Sequence, residues 1–521
     1  MGVLGERREG ESQMGVFLRT ALAGDGPWLR SPRAGLSDCS GGHPGFGWGM
    51  RKWVRRSLKL AMMAVVGLLV LACVTLTTVD RRPLAGRIPL PESGRTTANA
   101  EAPAAVEVRA GFGRAKLTPR IGAAADRPEA GEFRMLPLAG YGNRGGRPAV
   151  GVHDDLWVKA VAVAAGSVTG VVVAADALII PREVSEDAVT RIRARCGLDR
   201  QFVYFGATHT HCSLGGWGEG VVGEAFAGGF QPGVRVWMAH QLAEAVVAAV
   251  SNLTPATVAG ASFEAPEGVR NRLVGDQGRI DPEFSLLCLR QVHGDAAGGT
   301  AVIGSYSAHA TVMGGGTMEF SGDYPGFWQR AVEAGTGGMA MFLAGGVGSH
   351  APKPPKGGWE GARLLGEGLA ARTLETLKGV PATNRVAFGL QTAFLELPEL
   401  QARLTDGIRL RPWVARRLLP VRETTWLQVF RVGDRAWFST PCDYSGEMAL
   451  DLKAAARGRG LHAVVTSFNG DYVGYVVPEK YYGMATYETR TMSFFGPQLP
   501  GYFAGVLDGM LGSLGASAAS R

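Results

Sequence analysis

The sequence predicts a mixed α/β domain with flanking helices, preceded by a single apolar segment. Three observations carry this prediction. Short β-branched runs alternate with amphipathic helical stretches through most of the chain. Near the N-terminus, one run long and apolar enough to span a bilayer is followed by a segment without periodicity. Hydrophobic residues make up 46% of the 521 residues, which supports a substantial core.

Residues 1–59 form a basic tail holding ten Lys and Arg against five Asp and Glu, so +5 of the net charge of +8 sits there. The rest of the chain is close to neutral and has no basic stripe, which argues against nucleic-acid binding. The tail ends in RKWVRRSLK, and Met50 would make an equally natural start for this basic flank. LAMMAVVGLLVLACVTLTTV, residues 60–79, then reads as a membrane anchor or export signal with its basic side in the cytoplasm. VLAC, ending at Cys73, loosely matches a lipoprotein processing site, but the apolar run continues past it. These features point to a protein anchored in the membrane or exported to the cell envelope. Residues 80–107, rich in Pro, Ala and Thr, read as a linker, and 108–516 as the folded domain.

Within the domain, the strand-like pieces are LWVKAVAVAA, GVVVAADALII, QFVYFGA, TAVIGSYSA, AMFLAGG, RAWFST and HAVVTSF. The helix-like pieces are REVSEDAVTRIRARC, VWMAHQLAEAVVAAV, ARLLGEGLAARTLETL and GEMALDLKAAA. Strand order does not follow from this pattern. No internal repeat is present. Cys196, Cys212, Cys288 and Cys442 lack CxxC spacing, which excludes a zinc ribbon and leaves disulfides or buried thiols.

Several strand candidates end in polar groups. QFVYFGAT leads to His209 and His211, TAVIGSYSA to His309, RAWFSTPC to Asp443, and HAVVTSFNGD to Tyr472 and Tyr475. In an extended segment residues i and i+2 point the same way, so His209 and His211 are expected to face one site. Imidazoles and a carboxylate gathered from separate strands make an open catalytic zinc site, whereas each histidine alone would read as a core hydrogen-bonding group.

ATHTHCSLGG resembles the THTHSGPGG signature of the neutral ceramidase family, zinc enzymes that hydrolyse the amide of N-acylsphingosines. Five further segments resemble that family in the same order. AGFGRAKLTPRIG through LAGYGNR to GVHDDLWVKAVAV is similar to its N-terminal stretch, and VRNRLVGDQGRIDPEFSLLCLR to its NRSP segment. SYSAHAT is similar to its second histidine segment, STPCDYSGEMA to its PGEFTTMAG turn, and NGDYVGYVVPEKYYGMATYETRTMSFFGP to its closing tyrosine motif. The likeness covers roughly residues 110–500. It implies one Zn²⁺ per chain held by His209, His309, Asp443 and Tyr475, with Asp443 in place of a family glutamate and Glu447 as a possible substitute. It also places His211, Arg272 and Tyr487 around the substrate carbonyl, where their donors would stabilise an oxyanion. The implied substrate is a lipid at a membrane surface: ceramide or a related N-acyl lipid.

Two departures qualify these roles. The family's GDxSP turn reads GVGSHAP here, which puts Gly348 and Pro352 in register and turns the family serine into Ala351. Ser349 or His350 would then have to supply the missing polar contact. Cys212 and Cys442, beside His211 and Asp443, could pair with each other, bind the metal or simply pack. Family members usually continue into an immunoglobulin-like domain, whereas here FAGVLDGMLGSLGASAASR follows the tyrosine motif. A hydrolase of another amide or ester, or a non-catalytic lipid-binding relative, are the alternative readings.

Overall fold

The computed structural model describes residues 46–84, 105–293, 296–419 and 421–514. The start of the basic tail, most of the expected linker and the last two residues of the expected domain, 515–516, lie outside the described residues. Helix α1, Phe46–Thr75, starts well before the apolar run. Neither Gly nor Pro occurs from Met50 to Val66, so nothing in the basic flank breaks the helix. Its section Lys52–Thr75 is long and apolar enough to cross a membrane, a property that an export signal shares. Strand β1, Leu76–Thr78, follows directly.

The main sheet contains β2 (Val106–Lys116), β3 (Trp157–Ala165), β4 (Val168–Ala175), β5 (Val203–Ala207), β6 (Thr254–Glu264), β7 (Glu283–His293), β8 (Ala296–Tyr306) and β9 (Met339–Ala344). Their spatial order is β9-β8-β7-β6-β2-β3-β4-β5, with a short pairing of residues 385–386 onto β2. Only β4 with β5 and β8 with β9 run parallel. The second sheet orders β10 (Phe388–Glu396), β12 (Thr424–Val432), β13 (Arg435–Thr440) and β14 (His462–Ser467). Between its first two strands in the chain lies the short β11, Ile408–Leu410.

The two sheets stack face to face, and helices cover both outer faces. Strand β3 shows why. Val158, Ala160 and Ala162 face one buried cluster, while Val161, Val163 and Ala165 face another, so a nearly continuous apolar run serves two layers. The first face packs on α2 (Arg182–Cys196) and, beyond the short α3 (Gly220–Ala227), on α4 (Pro232–Ser251). The second meets Phe388, Phe430 and Trp437 of the other sheet. Leu286, Cys288 and Phe342 turn outward under α5 (Asp323–Thr336) and α6 (Gly358–Lys378). After the short α7 (Pro412–Leu418), α8 (Gly446–Arg457) and α9 (Leu499–Ser513) close the far side of the second sheet.

The main sheet curves until its two edges meet. At Gly206 in β5, a Cβ would lie 2.4 Å from Leu343 Cδ2 in β9. This approach brings the chain leaving β5, β8 and β9 to one place.

The expected linker begins later than its composition predicts. β1 pairs antiparallel with β11, the Asp80 backbone N–H donates to Gln401, and Leu84 enters the core under the second sheet. Residues 76–84 are therefore part of the folded domain. Backbone pairing with a strand more than 300 residues away leaves no trace in local composition.

Gly206→Val should lower stability by about 1–3 kcal/mol through overpacking against Leu343. Adding Leu343→Ala should recover part of that loss, measured as a non-additive double-mutant cycle in chemical denaturation.

Candidate metal centre and cleft

His209 follows β5 with φ of 61°, a left-handed backbone uncommon outside glycine. This corrects the extended geometry expected from the sequence, although both imidazoles still reach one site. Two contacts hold the conformation. Its Nδ1 donates to the Leu178 carbonyl at 2.6 Å, and its ring stacks on Phe468 with centroids 4.1 Å apart. Phe468 is itself left-handed, at 66°. The intervening Thr210 turns away and donates to the Ser321 carbonyl.

His309 leaves β8 and is fully buried. Its Nδ1 donates to the Val347 carbonyl at 3.2 Å. With both Nδ1 protons committed to carbonyls, the Nε2 atoms of His209 and His309 present lone pairs to each other at 2.8 Å. His211 Nε2 lies 3.4 Å from that of His209, and the ligand atoms of all three lie within 4.8 Å of one another. Asp443 Oδ1 stands 3.3 Å from His209 Nε2 and 3.8 Å from His309 Nε2. It is buried with no hydrogen-bond partner, while Oδ2 accepts from the Tyr472 hydroxyl at 2.8 Å. Lone pairs facing a bare carboxylate oxygen at a buried site are mutually repulsive unless a cation joins them. These residues fit a metal ion by chemistry and position, and nitrogen and carboxylate donors suit zinc among others.

The remaining expected residues divide into two groups. Tyr475 lies in the same cluster, and its hydroxyl accepts from Arg272 at 3.0 Å. Arg272 also pairs with Glu488 at 3.0 Å. Burial opposes the Arg272 charge, but Tyr475, Glu488 and Asp443 outweigh it and raise its pKa. Burial, reinforced by Asp443, holds the Tyr475 phenol well above its ordinary value, and the same causes act on Tyr487. The Tyr487 ring packs 5.5 Å from that of Tyr475. His211 thus joins His209 and His309 in a compact set of imidazoles, with Tyr475 lining the same cleft.

Ser349, Glu447 and the cysteines fall outside this cluster. Ser349 is fully buried and does not line the cleft; its hydroxyl bonds His350 Nδ1 and Ser445. His350 Nε2 accepts from the Asp281 backbone N–H, so Nδ1 carries the proton. Burial lowers the His350 pKa to about 4. Expecting Ser349 or His350 to reach the site fails because the turn points both into the support beneath α8. Ala351 is buried in a short pairing with Arg270. Glu447 accepts from Asn271, the Arg279 backbone and Tyr481, and so braces a neighbouring loop. Cys212 and Cys442 are free, as are the other described cysteines. Cys212 Sγ lies 3.7 Å from Arg144, and Cys442 packs beneath the second sheet.

Sequence reading missed Gly140 and Arg144, both within LAGYGNR. Gly140 has φ of 110°, and a Cβ there would approach the His211 ring to 2.6 Å. Buried Arg144 donates to the carbonyls of Ala139, His211 and Thr317, which fixes the loop carrying His211. Neither role has a local pattern.

His209, His211, Asp443, Tyr472, Tyr475 and Tyr487 line the floor of an open cleft with about 1070 Å³ of empty volume, its mouth included. Leu178, Trp217, Val222, Phe226, Leu419, Val421, Met492 and Phe494 give it apolar wall surface, and Arg182, Glu183, Glu219, Arg235, Arg422 and Asp471 also line it. Trp217, unassigned from sequence, is therefore a wall residue.

Residues 123–345 match the family described as neutral/alkaline non-lysosomal ceramidase, N-terminal. That stretch is similar to the N-terminal part of the family, and two relatives support the resemblance. It is 26% identical over 262 residues to a neutral ceramidase of Pseudomonas aeruginosa, a match covering 47% of this chain and 37% of that one. It is 28% identical over 237 residues to a neutral ceramidase of Mycobacterium tuberculosis, covering 41% and 36%. These matches span little more than a third of either relative. The fold resembles a ceramidase complexed with C2, with a TM-score of 0.64 and 19% identity over 78% of this chain and 75% of that one. It also resembles the neutral ceramidase crystal structure from Pseudomonas aeruginosa, with a TM-score of 0.64 and 20% identity over 79% and 76%.

Chelator-stripped protein should gain thermal stability on addition of a divalent transition metal, by about 2.7 kcal/mol at one hundred times the dissociation constant. His209→Ala should lose that gain in calorimetry. Burial also lowers the pKa of His211 and His309, as it does for His350. The unfolded chain takes up protons below about pH 6.5 while the native state resists. Stability of the metal-free protein should therefore be complete above pH 6.5 and fall as pH drops toward 4, read from denaturation midpoints across that window.

Proposed function

We propose that this protein is a zinc-dependent amidohydrolase that cleaves the amide of ceramide or a related N-acyl lipid and releases a fatty acid. The observation that carries this reading is the opposed pair of Nε2 lone pairs beside the unpaired Asp443 oxygen, at the floor of an apolar cleft. Kinship with the ceramidase family supports the choice of substrate.

His209, His309 and Asp443 would hold the ion, with His211 or Tyr475 completing the donor set. Zinc, when bound, would polarise a water and the scissile carbonyl. The protein supplies the rest. The apolar walls take the acyl chain and exclude water, which strengthens every charge interaction at the floor. The Arg272 guanidinium is fixed by Glu488 and Tyr475, so its positive charge is in place before negative charge develops on the carbonyl oxygen. Tyr487 keeps its proton and can donate toward the same oxygen. No step draws on Ser349, whose hydroxyl is committed beneath the site. A metal-activated water needs no serine nucleophile.

Zinc-loaded protein should release fatty acid from a short-chain ceramide, and His209→Ala should abolish release. Protein that holds zinc yet releases nothing would overturn the amidase reading and leave another amide or ester, or lipid binding alone. Ser349→Ala should keep turnover within about tenfold while lowering the melting temperature, because that hydroxyl ties His350 to Ser445. A much larger loss of turnover with unchanged zinc content would place the serine in the chemistry.

A further inference from the structure

We propose that α7, together with the adjoining edge of α3, is a bilayer-docking surface at the mouth of the cleft, seated in the headgroup layer of the membrane that α1 enters. This rests on reading the protein as a membrane-anchored lipid amidase.

The anchor is not attached through a free tether. The carbonyl of Thr75, the last residue of α1, accepts from the Arg411 backbone at 2.8 Å, and the Cys73 carbonyl accepts from the Arg411 guanidinium at 3.0 and 3.1 Å. Leu76, Thr77 and Thr78 then pair with Leu410, Arg409 and Ile408. Pro412, the next residue after Arg411, starts α7. The end of the membrane-length helix and the start of α7 are therefore held by the same residue. A bilayer containing α1 comes within reach of α7.

The composition of α7 suits that position. Ala415 and Leu419 are buried, whereas Trp413, Arg416, Arg417 and Leu418 are exposed. Trp413 is 47% and Leu418 42% exposed, and the Arg417 guanidinium lies 5.6 Å over the Trp413 ring. An exposed tryptophan with arginines beside apolar side chains matches the membrane–water interface, where rings sit among headgroups and guanidinium groups meet phosphates. Ile408 on β11 and Val221 on α3 extend the apolar strip. α3 packs against α7, and the residues following the exposed ones, Val222 on α3 and Leu419 after α7, line the cleft. The surface is thus continuous with both the anchor and the cleft wall. A lipid could pass from the leaflet to the cleft floor without crossing open water.

The test uses the full-length chain reconstituted in phosphatidylcholine–phosphatidylglycerol vesicles. Lipids brominated on the acyl chain should quench tryptophan emission, and the difference between the native chain and Trp413→Phe should account for a quenched component. In parallel, Trp413→Glu with Leu418→Glu should lower kcat/KM for vesicle-embedded long-chain ceramide by about tenfold or more, and leave a detergent-dispersed short-chain ceramide within about twofold. Absence of quenching assignable to Trp413 overturns the docking surface. Equal loss on both substrates also overturns it, since that is the signature of a structural role. If the native chain cleaves neither substrate, the amidase reading fails, and quenching at Trp413 alone decides for or against docking.

Discussion

Two backbone carbonyls, those of Leu178 and Val347, determine what the centre of this protein can bind. Each takes the Nδ1 proton of one histidine and so turns the opposite nitrogen into a lone pair. The two lone pairs meet beside a carboxylate oxygen that nothing else satisfies. Tautomer, charge preference and direction are all set by backbone atoms that no side-chain substitution removes. The folded domain must meet the electrostatic cost of that arrangement until a cation relieves it.

The sheets exist in the shape that makes this possible. Curvature closes the main sheet until β5 and β9 touch, which delivers His209 and the Val347 carbonyl from opposite edges. The stacked second sheet contributes Asp443 and the tyrosines from the ends of β13 and β14, themselves a parallel pair. Function collects where strands of like direction end, as it does in other α/β folds. The helices contribute little chemistry. They bury the outer faces and keep four layers in register.

Much of this was legible in the residues. Every strand-like and helix-like stretch named from periodicity became an element of that type, because runs such as WVKAVAVAA are buried on both faces and cannot be mistaken for surface. That His209, His211, His309, Asp443 and Tyr475 lie near one another was legible because they follow strands, where a change from apolar to polar is abrupt. Strand order was not legible, since β2 pairs with β6 more than 140 residues away, Arg109 with Pro255, and nothing local announces that contact. Ser349 was misplaced for a related reason: a glycine-rich turn does not reveal which way its side chains point. The docking of residues 76–84 was hidden by a composition that reads as linker.

Burial gives the centre a further property that concerns traffic rather than affinity. His309 is fully enclosed and Asp443 nearly so, while His209 and Asp443 meet the cleft floor. An ion would reach the histidines through the cleft, by the same opening as any molecule that fills it. On the proposed function, an acyl chain between the apolar walls would shut in an ion beneath it, and exchange of that ion would wait until the cleft emptied. Occupancy of the cleft would then protect the centre from chelators, and the empty form would be the one that gains or loses an ion.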